Sequence, residues 1–182
     1  VISAPPIDQE LNEFQASPQA GWEKRMELTD RLASEWNSGE LRAVPTSLLS
    51  SQDPRMERVL FDSAERAQSS CGPVMASAAE RLDSDPVVNG RIVRFLSILL
   101  MNGLPDEAER VRVADALMRF VERSLRLIPS TNVPARRLRL EAVRVLSGLV
   151  DAQTLVNWLN PRLVDAASQG ADRQAEVLQW YR

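Results

Sequence analysis

Cys71 is the side chain best suited to act as a nucleophile, because the sequence contains one cysteine and no histidine. Gly72 and Pro73 follow it directly, and since proline favours the first turn of a helix, we expect a helix to begin here. The positive end of a helix dipole can stabilise a thiolate. Cys71 is therefore the candidate catalytic residue of a thiol-dependent transferase. We favour the alternative that Cys71 is a small, buried apolar residue in a turn.

The absence of histidine and the single cysteine narrow the chemistry further. Catalytic pairs built on imidazole, ordinary zinc sites and intrachain disulfides are excluded. Two acidic pairs, Asp83 with Asp85 and Asp106 with Glu107, precede or open predicted helices, where capping of backbone amides accounts for them. No glycine-rich phosphate loop is present. We therefore predict neither a cofactor nor a metal.

Arginine supplies the other candidate site. The chain has 22 basic side chains, of which only Lys24 is a lysine, and a pI near 5.2. Arginines crowd residues 91–144, where guanidinium groups could bind anionic oxygens. An acidic pI and the lack of interleaved aromatic residues argue against nucleic acid. We predict a protein partner and the following contacts: Arg112, Arg119, Arg123, Arg126 and Arg137. The alternative is that these arginines lie on solvent-exposed helix faces and pair with neighbouring carboxylates.

Four tryptophans lie toward the two ends of the sequence, at positions 22, 36, 158 and 180. We favour the interpretation that they cap a core where the ends of the chain meet. Trp180 and Tyr181 are the alternative partner anchors, because aromatic residues dominate binding hot spots.

The segment Ser70-Cys71-Gly72-Pro73 is similar to the cysteine motif of bacterial effector ubiquitin ligases with an all-helical catalytic domain. In that family an Asp follows the Cys by two positions, where this chain has Pro73. The resemblance covers four residues and implies a ubiquitin ligase that uses Cys71, or one that only recruits a ubiquitin-conjugating enzyme. Scarce lysine fits a protein that avoids its own modification, although the codon bias of a GC-rich bacterial genome explains it more simply.

Apolar residues recur at three- and four-residue spacings along most of the chain, which is typical of amphipathic helices. Asp-Pro, Asn-Pro and Gly signals mark helix starts and stops, with Asp8 as a cap, Gly39 as a stop and Pro161 as a restart. The predicted helices are one after Pro5-Pro6, then 22–37, a short turn near 46–49, 54–68, 73–82, 87–101, 105–128, 134–149, 152–159, 163–168 and about 172–181.

These elements predict an all-α, single-domain antiparallel helical bundle or short helical array of about seven to nine helices over residues 1–182. Residues 87–101 are expected to be the central, most buried helix. Residues 1–20 are expected to be a less ordered lead-in, and the opening without Met suggests a domain excised from a longer chain. No apolar run reaches the ~18 residues of a membrane-spanning helix.

Three functions are compatible with these sequence features. The first is a helical protein–protein interaction domain that binds its partner through a charged helix face. The second is the effector-type ubiquitin ligase or transferase described above. The third is a structural or regulatory module of a larger assembly. We expect a soluble bacterial protein, located in the bacterial cytoplasm or secreted into a host cell.

Overall fold

The computed structural model describes residues 5–83 and 85–182, and this part of the chain contains ten α-helices and no β-strand. The all-α prediction is confirmed. Without the five-residue α3 the helices number nine. They are α1 (Ile7–Ala16), α2 (Trp22–Ser38), α3 (Thr46–Ser50), α4 (Pro54–Arg66), α5 (Gly72–Ala79), α6 (Pro86–Met101), α7 (Glu107–Leu127), α8 (Val133–Leu149), α9 (Ala152–Ala167) and α10 (Ala171–Gln179).

Carboxylate caps begin three of the helices at the predicted positions. Asp53 Oδ1 accepts the amide of Arg55 at 2.9 Å, and Asp85 Oδ1 accepts that of Val87 at 2.9 Å. Asp151 Oδ1 accepts the amide of the third residue of α9 at 2.8 Å. These bonds satisfy amides that have no partner inside the helix. The predicted stop after α2 is also confirmed, since Gly39 has a φ of +78°.

Two local predictions at other helix boundaries are wrong. Asp8 does not cap α1, because Pro6 occupies the capping position and Asp8 lies in the first turn. Pro161 does not restart the chain, because α9 continues through it. A proline inside a helix removes one backbone hydrogen bond. Trp158 and Ala166 are buried on either side of Pro161, so both halves of α9 pack against the rest of the protein.

The helices form a two-layered array. In one layer α2 packs against α4, α4 against α6, and α6 against α8. In the other layer α1 contacts α3, and α5 contacts α7. The layers contact each other along the array, at α1 with α2, α3 with α4, α5 with α6 and α7 with α8. The pair α9 and α10 closes the C-terminal end beside α8. A short helical array therefore describes the connectivity better than a single bundle.

The core runs through the whole array, with α6 at its centre. α6 contacts α3, α4, α5 and α8, and it buries Phe95 against Trp36 with ring centroids 5.4 Å apart. The central position predicted for residues 87–101 is confirmed. The short α5 has a larger share of buried residues, however, so α6 is not the most buried helix.

Both ends of the sequence contribute to this packing. Within the predicted lead-in of residues 1–20, positions 1–4 lie outside the described residues, and α1 buries Ile7, Leu11 and Phe14 in the core. Trp22 does not join the core that we predicted for the four tryptophans, because it is the first residue of α2 and is 68% exposed. Trp36, Trp158 and Trp180 are buried.

Arginine side chains repeatedly bind the carbonyl oxygens at the C-terminal end of a neighbouring helix. A guanidinium group carries five N–H donors, and the end of a helix carries carbonyls without intrahelical partners and a negative partial charge. Most of these contacts join helices that are not adjacent in the sequence. The pairs are Arg55 with the end of α1, Arg91 with α3, Arg123 with the segment after α5, and Arg139 and Arg173 with α7.

Within the described part of the chain, no helix combines the length and the apolar character needed to cross a membrane.

Candidate functional site

Helix α7 places three of the predicted partner-binding arginines on one side. Arg112, Arg119 and Arg126 are seven residues apart, and seven residues at ~100° each return to nearly the same side of a helix. All three are exposed. Arg123 lies on the same side and is half-buried. We call these four residues the α7 arginine stripe. The predicted arrangement on one helix face is a consequence of the spacing alone.

Contacts within the protein occupy two members of the stripe. Arg112 donates from Nε and Nη2 to Glu80 Oε1, at 2.8 and 2.6 Å. Arg123 Nη2 donates to the carbonyl oxygen of Leu82 at 3.1 Å. Both bonds fasten α7 to the end of α5. Arg119 and Arg126 have no hydrogen bond or ion pair among the described residues, so their guanidinium groups are available to an external anion.

Arg137 lies apart from the stripe, on α8. It is exposed, and Glu141 and Arg144 follow it on the same side of that helix at four- and seven-residue spacing. Among the described residues, Arg137 forms no hydrogen bond or ion pair with α7. We predicted Arg137 together with the stripe because it is close to these residues in the sequence. The spacing of residues within one helix does not predict how the next helix is oriented.

Two arginines of the predicted basic region are buried instead of exposed. Arg139 is 0% exposed and donates to both carboxylate oxygens of Glu176, at 2.6 and 3.1 Å. Arg91 is 8% exposed and donates to the carbonyl of Leu49 at 3.1 Å. These side chains connect helices and do not contribute to a basic surface.

Cys71 precedes α5 as predicted, but its surroundings do not activate the thiol. Burial raises the pKa of the Cys71 thiol, with a smaller opposing effect from the Ser69 hydroxyl. The sulfur lies 3.8 Å from Ser69 Oγ and 4.0 Å from Asn37 Oδ1, so its neighbours are neutral groups. A nucleophilic cysteine needs a depressed pKa. The geometry therefore favours a structural role over the transferase hypothesis.

The backbone at Cys71 is unusual. Its φ is +48° and its ψ is +60°, which lie in the left-handed region that residues other than glycine rarely adopt. Such a conformation costs about 1–2 kcal/mol for a residue with a Cβ atom. It turns the chain into α5, where Cys71 O accepts the amides of Val74 and Met75 at 2.8 and 3.0 Å.

The two candidate aromatic anchors differ in accessibility. Trp180 is 6% exposed and stacks on Trp158, with ring centroids 6.4 Å apart and an interplanar angle of 12°. Tyr181 is 39% exposed, and its hydroxyl donates to Asn160 Oδ1 at 2.8 Å. Trp180 therefore belongs to the C-terminal core, and Tyr181 is the accessible member of the pair.

Two cavities open along α7. One, of about 510 Å³, lies between α7 and α9, and its lining includes Arg126 and Arg173. Glu122 also lines it, and this carboxylate accepts Trp158 Nε1 at 3.0 Å and forms an ion pair with Arg162. The other cavity, of about 540 Å³, lies between α7 and the corner of α8 and α9, and its lining is more apolar.

The polar cavity contains a buried cation that sequence reasoning missed. Arg173 is 8% exposed, and its Nη2 donates to the carbonyls of Leu125 and Ile128 at 2.9 and 3.1 Å. Burial is the largest cause that lowers the pKa of Arg173, and Arg139 contributes to the same shift. Two guanidinium groups thus share the single carboxylate of Glu176. No local sequence signal indicates this cluster, because its members lie 34 or more positions apart except within α10.

Among the described residues, no group of three or more His, Cys, Asp and Glu side chains is placed to hold a metal ion.

No protein-family model, curated protein or solved structure matches this sequence. The class that the structure itself defines is a two-layered all-α helical array.

Proposed function

We propose that this chain is a helical protein-interaction domain that binds an acidic surface of a partner protein through Arg119 and Arg126 of α7. The observation that carries the proposal is the free state of these two exposed side chains on one helix side. They are seven residues apart, which places them about 10 Å apart along the helix axis. Carboxylates of a partner at that separation could engage both.

The contrast with other arginines supports this assignment. Arg55, Arg91, Arg123 and Arg139 all donate to carbonyl oxygens inside the protein, where they connect helices. An arginine with such a contact stabilises the fold. Arg119 and Arg126 have no such contact among the described residues. Guanidinium groups bind carboxylates through two parallel hydrogen bonds, so a free pair gives both strength and orientation.

An acidic protein surface suits the stripe better than nucleic acid. Binding to a phosphate backbone depends on several positive charges that follow it. Here Glu122 lies between Arg119 and Arg126 in the sequence, and the chain as a whole has a net charge of −3. A pair of carboxylates is a better match to two free guanidinium groups in number.

The test is a double charge reversal, Arg119→Glu with Arg126→Glu. A matched control reverses Arg42 and Arg58, which are exposed arginines on other parts of the surface. Both variants change the net charge by the same amount. Affinity capture with cross-linking and mass spectrometry is run in parallel on the wild type and the two variants, at low and high salt.

We expect a partner that the wild type and the control retain and that the α7 variant loses by at least tenfold. Higher salt should weaken the same interaction, because exposed charges are screened. Identical capture by all three proteins would contradict the proposal. A single variant, Arg137→Glu, tests separately whether the exposed side of α8 belongs to the same interface.

A further inference from the structure

The apolar cavity between α7 and the corner of α8 and α9 exposes side chains that would ordinarily be buried. We call it the Val111 groove, after its central residue. Val111 is 52% exposed and Leu104 is 60% exposed, and Met118 and Val150 complete the apolar lining. Covering these side chains would release ordered water, which favours binding of an apolar partner surface.

Acidic side chains surround this apolar lining. Glu107, Asp115 and Asp151 line the groove, with Arg110 as the one basic residue among the lining residues. Glu107 and Asp115 are exposed and have no ion pair among the described residues. The groove therefore has an excess of negative charge, and an occupant with basic side chains would complement it.

The length of the groove fits a helix. Its α7 wall runs from Glu107 to Met118, which corresponds to about 16 Å, or three turns. A partner helix with apolar residues at three- and four-residue spacings would cover Leu104, Val111 and Met118 along one side. Basic residues at the edges of that apolar side would face Glu107 and Asp115.

We propose that the Val111 groove binds a basic amphipathic helix of a partner protein. This inference rests on the proposed function only in that the chain binds a protein. Its central residue, Val111, lies about 80° around α7 from Arg119, and Asp115 lies at the border between the two surfaces. The two surfaces have opposite charge, so they can be tested with different variants.

The first experiment selects peptides on the folded domain. A displayed library of 18-residue peptides keeps leucine at helical three- and four-residue spacings and randomises every other position. We expect enrichment of Lys and Arg at the positions beside the leucines. The dissociation constant of the most enriched peptide is then measured by fluorescence anisotropy, together with a version whose basic residues are replaced by Glu. The Glu version should bind at least tenfold more weakly.

The second experiment maps the site with matched valine variants. Val111→Lys should weaken peptide binding at least tenfold, because it removes apolar surface and places a positive charge beside the basic peptide. Val164→Lys, at a 73% exposed valine of α9 outside the groove, should leave it unchanged. Circular dichroism checks that both variants fold. If Val111→Lys does not fold, Leu104→Lys is used instead.

Four results would overturn the inference. The selection could enrich no helical peptide or an acidic one, or the selected peptide could bind equally well to Val111→Lys. Alternatively, sedimentation could show a dimer of the wild type that Val111→Lys dissociates, which would make a second copy of the chain the occupant. Arg119→Glu with Arg126→Glu should not weaken peptide binding, because it adds negative charge beside a groove that binds a basic peptide. Failure here and failure of the arginine stripe are therefore distinguishable.

Discussion

Arg139 of α8 and Glu176 of α10 form an ion pair in which both side chains are completely buried, with Nε and Oε1 2.6 Å apart. The rest of the carboxylate is also engaged, because Ser130 Oγ donates to Oε2. Arg173 Nη1 lies 3.6 Å from the same Oε2 atom. This one carboxylate thus connects α8, α10 and the turn that follows α7.

Removal of the Glu176 carboxylate should destabilise the protein strongly. Glu176→Gln leaves two buried guanidinium groups without a counter-ion, and breaking a buried pair in this way typically costs about 3–5 kcal/mol. The measurement is the free energy of unfolding from urea titration. The double variant Arg139→Met with Glu176→Leu should lose less, because only one buried guanidinium group, that of Arg173, then lacks its counter-ion. Equal losses in the two variants would contradict the explanation.

Asp53 should stabilise the protein in a pH-dependent way. The side-chain hydrogen bond from Arg55 is the largest cause that holds the pKa of Asp53 below its ordinary value. A folded-state pKa below the unfolded one means that the ionised carboxylate stabilises the fold at neutral pH. This contribution is lost as the pH falls below about 4 toward the folded-state pKa.

Asp53→Asn tests this effect, because asparagine can still cap α4. The difference in unfolding free energy between the wild type and Asp53→Asn should be largest near pH 7 and should shrink below about pH 4. With Arg55→Met in both proteins, the difference at pH 7 should be smaller. A difference that stays constant from pH 7 to pH 3 would show that the charge is not involved.

The Cys71 thiol should react slowly in the folded protein. Burial restricts access to the sulfur and raises the pKa of the thiol, so the reactive thiolate is scarce at neutral pH. We expect the rate of reaction with an aromatic disulfide reagent at pH 7.5 to be at least tenfold lower than in urea. A faster reaction in the folded state would revive the transferase hypothesis, and Cys71→Ala should then abolish any conjugation activity.

Gly148 allows close approach of α6 to α8. A Cβ atom at this position would lie 2.7 Å from Leu100 Cδ2. Gly148→Ala should therefore gain little, because displacement of Leu100 opposes the helix propensity of alanine, which is worth up to about 1 kcal/mol. In a Leu100→Ala background the same change should stabilise the protein. A double-mutant cycle of unfolding free energies measures this coupling, and additive effects would contradict it.

Sequence reasoning succeeded where a structural feature depends on neighbours along the chain. The caps at Asp53, Asp85 and Asp151 require only a carboxylate and an amide two or three residues later, so their short spacing predicts them. The common side of Arg112, Arg119 and Arg126 follows from helical geometry in the same way. These features need no information about which helices meet.

Local patterns failed where distant residues decide the outcome. Pro161 carries a reliable signal for a helix start, yet burial of Trp158 and Ala166 keeps α9 continuous. Arg139 has the same local pattern as an exposed arginine. It is buried because Glu176, 37 positions later, provides a counter-ion at the point where α10 packs.

The amino-acid sequence by itself determined the all-α class, most helix boundaries and the limits that the lack of histidine sets on catalysis, because hydrogen bonding and periodicity within a helix act over a few residues. The tertiary structure alone decided which arginines are free and which bind a helix end. It also decided that apolar and acidic side chains of α7, α8 and α9 form one groove. Burial and charge compensation depend on packing between segments that are far apart in the chain.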